Sequence, residues 1–423
     1  MKVCIHRGCK EIGGTCIEIE SQGGRLVLDI GQPLDCPNPA EVDLPAVRGF
    51  TEEDASLLGV VLSHSHLDHY GLAHRLPEST PFLMGAAAER TIRAVADFTP
   101  SKGAFKHVIH LENGKPIKIG PFVITPFLVD HSAFDAYAVL VEADGKRLFY
   151  TGDLRGHGRK SSLFERLVAH PPAKVDVLLM EGSTIHRQGT EVGFKSEVEL
   201  EPELTEIFRK TPGMPLVWCS GQNIDRLVTV FKAARRSQRT LIIDMYTAHI
   251  LDAMQRESLP QAKWPGIRVF LPYFQKQRIK RKRQFDLAKR YSRYRIYPEQ
   301  LAAVKENSVM LFRDSMRQDV ENARCLDGAQ LVYSMWDGYL KEERMKPFLE
   351  WLKQNRIPMC HCHTSGHASV KDLRRLRKAF GSAAVVPVHC AEPEVYAKTF
   401  DRVQVHSDNE WWDVNERSRN YVR

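Results

Sequence analysis

The sequence lacks long apolar runs. No stretch approaches the roughly 20 apolar residues that a membrane-spanning helix needs, and the N-terminal residues contain no apolar core of a secretory signal. The 9 cysteines are an odd number without the spacing of a disulfide framework, which indicates reduced thiols and predicts a cytoplasmic location. No charge sign dominates, since 60 Lys and Arg stand against 52 Asp and Glu. With 43% hydrophobic residues, these features exclude a disordered chain.

The 423 residues are enough for two or three domains, and their pattern changes twice along the chain. Residues 1–195 contain short β-prone runs separated by Gly and Pro turns, beginning with a meander of antiparallel strands. Residues 196–356 alternate helical stretches with single apolar strands, which is typical of a parallel α/β unit. Residues 357–423 return to strands that are followed by His-rich loops. We therefore predict three segments with these bounds.

A cluster of potential metal ligands is the strongest local signal. An apolar strand at 59–63 is followed within six residues by His64, His66, Asp68 and His69. In a tight turn the first two side chains can point to one ion, and the other two to a second ion. Neutral imidazoles and carboxylates suit Zn²⁺, and with more carboxylate and water they also suit Mn²⁺. A polar surface loop is the alternative, but such a loop has little use for four ligands so close together.

Two single residues extend this cluster. His131 and Asp153 each follow a predicted strand, and Asp153 comes after a glycine that lets the backbone approach a ligand. A carboxylate in that position could bridge two ions about 3.5–4 Å apart, as two-metal hydrolytic sites require. Alone, each of these two residues would be interpreted as structural. Their place after the cluster at 64–69 favours the interpretation that both are metal ligands.

These motifs, HSHLDH, a lone strand-end His and TGD, resemble the metallo-β-lactamase superfamily. The resemblance covers residues 1 to about 185 and implies an αββα sandwich with a dinuclear metal site along one edge. It also implies a ligand set for each ion and a bridge between them. The first ion would be held by His64, His66 and His131, the second by Asp68 and His69, and Asp153 would bridge. The superfamily hydrolyses lactams, thioesters, lactones and phosphodiesters, so the fold alone does not choose the substrate.

The C-terminal motifs TSGHAS and PVH are similar to those of the β-CASP subgroup, which processes nucleic acids, and they look most like its ribonuclease J branch. The resemblance implies that 196–356 is an inserted β-CASP α/β domain. It implies that His389 completes the second metal site and that His367 is the general acid, while Glu181 orients the site and Asp68 takes part in catalysis. Small polar residues around a histidine at a helix start could bind an anionic group, although N-capping is the alternative for the serines. The substrate-binding candidates there are His363, Ser365, Gly366 and Ser369.

The insert departs from that branch in part. The segment at 221–226 keeps Asn223 and Arg226 of a substrate-binding element but has Gln222 and Asp225 where the branch has Ser and His. The chain ends soon after His389, so the C-terminal dimerisation domain of the branch is not expected. Asn223 and Arg226 are nevertheless further substrate-binding candidates.

A basic run at 276–295 contains the aromatic residues Phe285, Tyr291 and Tyr294. Basic residues neutralise phosphates and aromatic rings stack on bases, a combination suited to single strands, whereas a solvated helix face is the alternative.

Together these observations predict a cytoplasmic metallo-hydrolase, a nuclease that cleaves RNA with a hydroxide activated by two divalent ions. Zn²⁺ is the expected ion and Mn²⁺ the alternative, and single-stranded RNA is favoured over DNA as partner, with no membrane. A DNA nuclease, a small-molecule lactonase or thioesterase, and a non-catalytic nucleic-acid scaffold are the competing readings. Endonuclease or exonuclease action and the oligomeric state stay open.

Overall fold

The computed structural model describes residues 1–36, 38–99, 103–187 and 190–414. It forms two compact units. The first consists of Met1–Arg93, Ser101–Phe194 and Gly366–Arg423, and the second of Ala94–Pro100 and Lys195–Ser365. Within the described residues, every helix is too short or too polar to cross a lipid bilayer.

The elements up to residue 194 are mostly strands. In chain order they are β1 (Lys2–Arg7), β2 (Cys16–Ser21), β3 (Gly24–Leu28), β4 (Leu57–Val61), α1 (Leu67–Tyr70), β5 (Pro81–Gly85), α2 (Ala86–Phe98), β6 (His107–Leu111), β7 (Ile117–Ile119), β8 (Phe122–Leu128), β9 (Tyr137–Ala143), β10 (Lys146–Tyr150), α3 (Ser161–Ala169) and β11 (Val177–Glu181). The predicted antiparallel meander is observed, because β1 pairs with β2 and β2 with β3 in that sense.

Helices and short strands alternate in the next part of the chain. They are α4 (Glu197–Lys210), β12 (Pro215–Trp218), α5 (Ile224–Arg236), β13 (Thr240–Asp244), α6 (Met245–Ala253), β14 (Ile267–Phe270), α7 (Tyr273–Lys282), α8 (Phe285–Arg290), β15 (Arg295–Ile296), α9 (Pro298–Val304), β16 (Ser308–Leu311), α10 (Arg317–Asn322), β17 (Gln330–Tyr333), α11 (Lys346–Gln354) and β18 (Met359–His361). The chain then continues with α12 (Val370–Ala379), β19 (Ala384–Val388), α13 (Pro393–Thr399) and β20 (Trp411–Asp413).

The first unit is a sandwich of two sheets. One sheet has the strand order β20-β1-β2-β3-β4-β5-β6, and the other has the order β19-β11-β10-β9-β8-β7. Alternate residues on each strand face opposite sides, so one side of each sheet can pack on the other sheet. Ile17, Leu28, Val139 and Leu179 lie in one shared buried cluster, which is the core between the sheets.

Helices cover both outer faces of this sandwich. Phe164 of α3, Leu373 of α12 and Tyr396 of α13 pack on the outer side of the second sheet. Tyr70 of α1 and Ile92 of α2 belong to the cluster on the outer side of the first sheet. Removing each such side chain from water contributes about 1.5–3 kcal/mol. The predicted αββα sandwich is confirmed.

The second unit has a parallel sheet in the order β15-β14-β13-β16-β12-β17-β18. Its strands are joined by helices, which is why parallel pairing is possible, and the predicted α/β class of the insert is confirmed. Strand β18 pairs with β17 in this sheet. The second unit therefore continues to Ser365. The sequence pattern instead predicts that the third segment begins at residue 357. The bounds of the three predicted segments stay a prediction.

Candidate metal centre

Loops at one edge of the sandwich carry the candidate ligands. His64 and His66 follow β4, His131 follows β8, Asp153 follows β10 and His389 follows β19. Strands β10, β11 and β19 are parallel to one another, so their carboxyl ends meet at the same edge. The sheet topology thus brings together residues that are distant in the sequence.

Three histidines form the first cluster. His64 Nε2 lies 3.0 Å from His66 Nδ1, and His131 Nε2 lies 3.2 Å from the same atom. One ligand atom from each of these residues can be chosen so that all lie within 4.8 Å of one another. Such a triad of imidazoles is the ligand set of a zinc ion with a fourth position open.

The second cluster consists of Asp68, His69, Asp153 and His389, whose ligand atoms also lie within 4.8 Å of one another. Its centre is the Oδ2 atom of Asp153, which also approaches the first cluster. This atom lies 3.8 Å from His64 Nε2, 3.1 Å from His69 Nε2, 4.0 Å from His131 Nε2, 3.6 Å from His367 Nδ1 and 3.9 Å from His389 Nε2. All seven residues predicted as metal ligands come together, with Asp153 between the two clusters.

The pKa values of the first cluster and of Asp153 suit metal binding. Burial, together with neighbouring histidines, lowers the pKa of His64 and His131, and burial lowers the pKa of His66 to about 4. Burial would raise the pKa of Asp153, but the charges of the surrounding histidines outweigh it and hold this pKa well below its usual range. Neutral imidazoles and an ionised carboxylate are the forms that bind a divalent ion. Burial would lower the pKa of His69, but the charges of Asp153, Asp29 and Asp68 outweigh burial and raise this pKa well above its usual value, so His69 would release a proton on binding an ion.

Some buried atoms of this site have no hydrogen-bond partner among the described residues. His389 Nε2 and Asp153 Oδ1 are two of them, and both residues are 1% exposed. A buried polar atom without a partner costs about 1–3 kcal/mol, and an ion between the clusters would remove this cost. The residues present therefore fit a dinuclear divalent metal site.

Asp29 supports the predicted ligand His69, and the sequence analysis missed it. It is fully buried directly after β3, and its Oδ2 accepts hydrogen bonds from His69 Nδ1 at 2.8 Å, from Ser63 Oγ at 2.7 Å and from the Tyr150 hydroxyl at 2.7 Å. Burial and the Asp29 charge raise the pKa of Tyr150, which keeps this hydroxyl a donor. A carboxylate that holds the far nitrogen of a ligating histidine fixes its orientation and tautomer.

Two residues with side chains have a left-handed backbone at this site. His389 has φ 52° and Asp29 has φ 58°, a left-handed conformation that costs a residue with a side chain about 1–2 kcal/mol. Gly152, just before Asp153, has φ 52°, and a Cβ there would lie 3.0 Å from Ser63 Cβ. Glycine is therefore required in the TGD turn.

His367 and Glu181 form a pair beside the clusters. His367 Nδ1 lies 3.1 Å from Glu181 Oε2, and Glu181 is fully buried at the end of β11. Burial lowers the pKa of His367, but the charges of Glu181 and Asp153 outweigh it and raise that pKa above its usual value. Glu181 Oε1 also accepts a hydrogen bond from the Leu154 backbone N at 3.0 Å. The predicted catalytic residues Asp68, Glu181 and His367 thus lie at the metal clusters.

Two predicted substrate-binding residues of the second unit have structural roles. Arg226 is fully buried and forms a bidentate ion pair with Glu197, with distances of 3.0 and 3.1 Å. It also donates to the Thr364 carbonyl oxygen at 3.3 Å, so it offers no open guanidinium to a substrate. Asn223 caps α5 by accepting from the Arg226 backbone N at 3.0 Å. The prediction of direct substrate contact by Arg226 is therefore corrected.

The remaining substrate-binding candidates are spread around the SGH motif. Ser369 is buried and caps α12 by accepting from the Asp372 backbone N, so the N-capping alternative describes it. His363 lies 3.1 Å from the Ser334 carbonyl oxygen, and burial with the nearby Arg226 lowers its pKa to about 3. Ser365 is buried. At Gly366 a Cβ would lie 2.9 Å from Ser132 Oγ, next to the ligand His131.

Known proteins resemble this chain in sequence. A family model described as Beta-lactamase superfamily domain matches residues 40–205. "Ribonuclease J" of Mycobacterium tuberculosis (strain CDC 1551 / Oshkosh) is 28% identical over 243 residues, which cover 55% of this chain and 42% of that protein. An "RNase J-like protein" of Methanocaldococcus jannaschii is 24% identical over 260 residues, which cover 57% of this chain and 54% of that protein. The chain thus spans about half the length of these curated relatives.

A solved structure covers nearly the whole chain. It is a protein of unknown function from Enterococcus faecalis V583, with a TM-score of 0.73 and 20% identity over 97% of this chain and 99% of that one. These likenesses define the class of the first unit: the chain contains a Beta-lactamase superfamily domain at residues 40–205, and the solved structure shares its fold. In sequence, a little more than half of the chain is similar to ribonuclease J and RNase J-like proteins.

Proposed function

We propose that this protein is a metal-dependent nuclease that hydrolyses phosphodiester bonds in RNA. The observation that carries the proposal is the convergence of five histidines on the Asp153 carboxylate, all within 4.0 Å of Oδ2. Two divalent ions bound there would supply a nucleophile at neutral pH and neutralise charge on the phosphoryl group. Zn²⁺ is the proposed ion because imidazoles dominate the ligand set, and Mn²⁺ is the alternative.

The proton donor in this proposal is His367. Its Nδ1 faces the Glu181 carboxylate, so Glu181 holds the proton on Nδ1 and leaves Nε2 as the atom that can reach a substrate. The side chain is 22% exposed, whereas that of Glu181 is fully buried. His367 would protonate the leaving 3′-oxygen through Nε2, and Glu181 would position it without touching the substrate.

RNA is proposed as substrate, with DNA as the alternative. The SGHAS motif at 365–369 resembles the RNA-processing branch, and the relatives in M. tuberculosis and M. jannaschii carry ribonuclease J names. A cytoplasmic location belongs to the same proposal.

The test is cleavage of end-labelled single strands. RNA and DNA of one sequence, labelled at the 5′ or the 3′ end, are incubated with the protein and Zn²⁺, Mn²⁺ or a chelator. We expect metal-dependent cleavage of RNA that the chelator abolishes. The product ladders of the two labels separate exonuclease from endonuclease action.

The matched variants are Asp153→Ala and Asp327→Ala. Asp153→Ala should lose the bound metal and the cleavage together, whereas Asp327→Ala changes an exposed carboxylate and should keep both. Cleavage of DNA but not of RNA would show that DNA is the substrate. A protein with its full metal content that cleaves neither polymer, but hydrolyses lactones or thioesters, would overturn it.

A further inference from the structure

We propose that residues 273–293 form an RNA-docking surface in the second compact unit, which grips a single-stranded segment of the substrate. This inference rests on the proposed function for the identity of the polymer. We name it the α7–α8 surface, since it contains helices α7 and α8 and the turn that follows them.

The inner side of the α7–α8 surface is fixed to the fold. Ile279 and Gln275 are buried, and Gln275 Nε2 donates to Asp244 Oδ2 at 2.6 Å. Arg278 donates to the carbonyl oxygens of Asp97, in the last turn of α2, and of Thr99, just after this helix. Cations suit a helix carboxyl end, so this side of α7 has a structural explanation. The exposed cations on the outer side of the surface are not explained by such contacts.

The outer side carries a concentration of exposed cations. Six of them make no ion pair with any residue that the structure describes: Lys276, Lys280, Arg281, Arg283, Lys289 and Arg293. Asp286 is the only acidic residue in the segment. Some exposed cations elsewhere in the fold have carboxylate partners, as Arg374 has in Glu191 and Arg375 in Glu165, whereas others stand singly along the chain. Unpaired like charges repel one another, so their concentration here indicates a polyanionic partner.

Aromatic rings lie among these cations. Tyr273 and Phe274 at the start of α7 are 64% and 52% exposed, and Phe285 at the start of α8 is 60% exposed. Tyr291 is 3% exposed, and its hydroxyl lies 3.4 Å from Asp252 Oδ2, so it is not available for stacking. Between Phe285 and Tyr291, both of which the sequence analysis named in this run, Phe285 is therefore the ring that can stack on a base.

Cations and exposed rings together identify the partner as a single strand. A duplex hides its base faces and would be held by cations alone, whereas unpaired bases stack on aromatic side chains. A membrane surface would require a broad apolar face, but the apolar residue in the middle of α7, Ile279, points into the protein. The combination fits an unstructured RNA segment, with phosphates on the cations and bases on the rings.

The experiment measures binding of a labelled oligouridylate by fluorescence anisotropy in the Asp153→Ala background, which prevents cleavage. The triple variant Lys280→Gln, Arg281→Gln, Arg283→Gln should raise Kd by about 10-fold or more, and the slope of log K against log salt should fall by about 0.7 for each phosphate that is no longer neutralised. Phe285→Ala should raise Kd by about 10-fold with an unchanged salt slope, because stacking is not ionic.

The control is a triple variant with the same change in net charge on another part of the second unit, Lys341→Gln, Arg344→Gln, Lys353→Gln. All three residues are exposed, and this variant should bind oligouridylate as the parent does. Equal losses of affinity in both triple variants, or no loss in either, would overturn the docking surface. Preference of the α7–α8 surface for anionic lipid vesicles over oligouridylate would overturn it as well.

A separate readout distinguishes this inference from the proposed function. Turnover of bis(p-nitrophenyl) phosphate needs the metal centre but no docking surface. If the protein with intact Asp153 turns over this ester and the α7–α8 variants bind oligouridylate normally, the nuclease proposal stands and the docking surface fails. If the variants lose binding while no phosphodiester is hydrolysed, the docking surface stands and the nuclease proposal fails.

Discussion

Arg155 and Asp130 form a buried ion pair that ties two ligand loops together. Both side chains are fully buried, the Arg155 Nε atom lies 3.5 Å from Asp130 Oδ1, and the Arg155 backbone N donates to the Asp130 carbonyl oxygen at 2.7 Å. Asp130 immediately precedes His131, and Arg155 follows Asp153 by two positions. The pair therefore sets the distance between a ligand of the first cluster and the carboxylate between the clusters.

Arg155→Ala should destabilise the protein by about 3–5 kcal/mol, because it removes a fully buried guanidinium beside the buried Asp130 carboxylate. Urea unfolding measures the loss, and metal analysis of the folded fraction should show reduced occupancy. Arg375→Ala, which breaks an exposed pair with Glu165, should cost less than about 1 kcal/mol. A cost for Arg155→Ala no greater than that of the control would contradict the role given to the pair.

Asp29→Asn should weaken metal binding by about 10–100-fold while the protein stays folded, because the amide no longer orients His69 as the carboxylate does. Competition with a chromophoric chelator measures the affinity. Asp327→Asn on the surface should leave it unchanged. Equal affinity in the wild type and Asp29→Asn would show that the Asp29–His69 contact at 2.8 Å has no influence on the ion.

His367→Ala should keep two equivalents of metal and lower kcat by about 10²–10⁴-fold, as expected for the loss of a general acid. Metal analysis and cleavage of labelled RNA are measured on the same preparation, with exposed His107→Ala as the control. Asp153, Glu181 and His367 also fulfil the geometry of a metal-binding group. Loss of one metal equivalent in His367→Ala would make this residue a ligand instead of a proton donor.

Asp244 should make the second unit sensitive to acid. Burial would raise its pKa, but the Arg313 guanidinium at 2.9 Å outweighs burial and holds it below the usual value. A carboxyl group with a depressed native pKa stabilises the fold above its unfolded pKa of about 4, and this stability is lost as the pH falls through the native value. The stability advantage of the wild type over Asp244→Asn should therefore shrink below about pH 4.

Urea unfolding at several pH values, followed by tryptophan fluorescence, to which the buried Trp351 contributes, measures this difference. The exposed Asp286→Asn variant is the control and should keep a constant difference from the wild type. An advantage over Asp244→Asn that does not change with pH would mean that the Asp244–Arg313 pair does not couple proton binding to folding.

The sequence was most informative where ligands are adjacent. His64 and His69 stand out because they lie five positions apart in one loop after an apolar strand. Asp29 has no such neighbours, and a single carboxylate after a strand looks the same whether it supports a histidine or faces water. Only the pairing of β3 with β4 places it beside His69. The fold class followed from strand and helix patterns together with the motif resemblance.

Residue identity in a motif did not reveal side-chain surroundings. Arg226 matches a substrate-binding element in sequence, yet Glu197, which lies 29 positions earlier, neutralises it in the interior. Similarly, Phe285 and Tyr291 both stand among cations, but one is exposed and the other buried. Burial depends on how α8 and the following turn pack, and this packing involves residues far from the run.

The ligand residues of the metal site are synthesised at different times. The Gly13 backbone N donates to His389 Nδ1 across 376 positions of chain, and at about 5–20 residues per second a ribosome needs about 20–75 seconds to cover that interval. His64, His66 and His131 leave the ribosome in the first part of this period, so the first cluster can take up an ion before His389 exists. Six of the seven predicted ligands precede the insert, so a nascent chain lacks His389, together with His367, until the insert has been made.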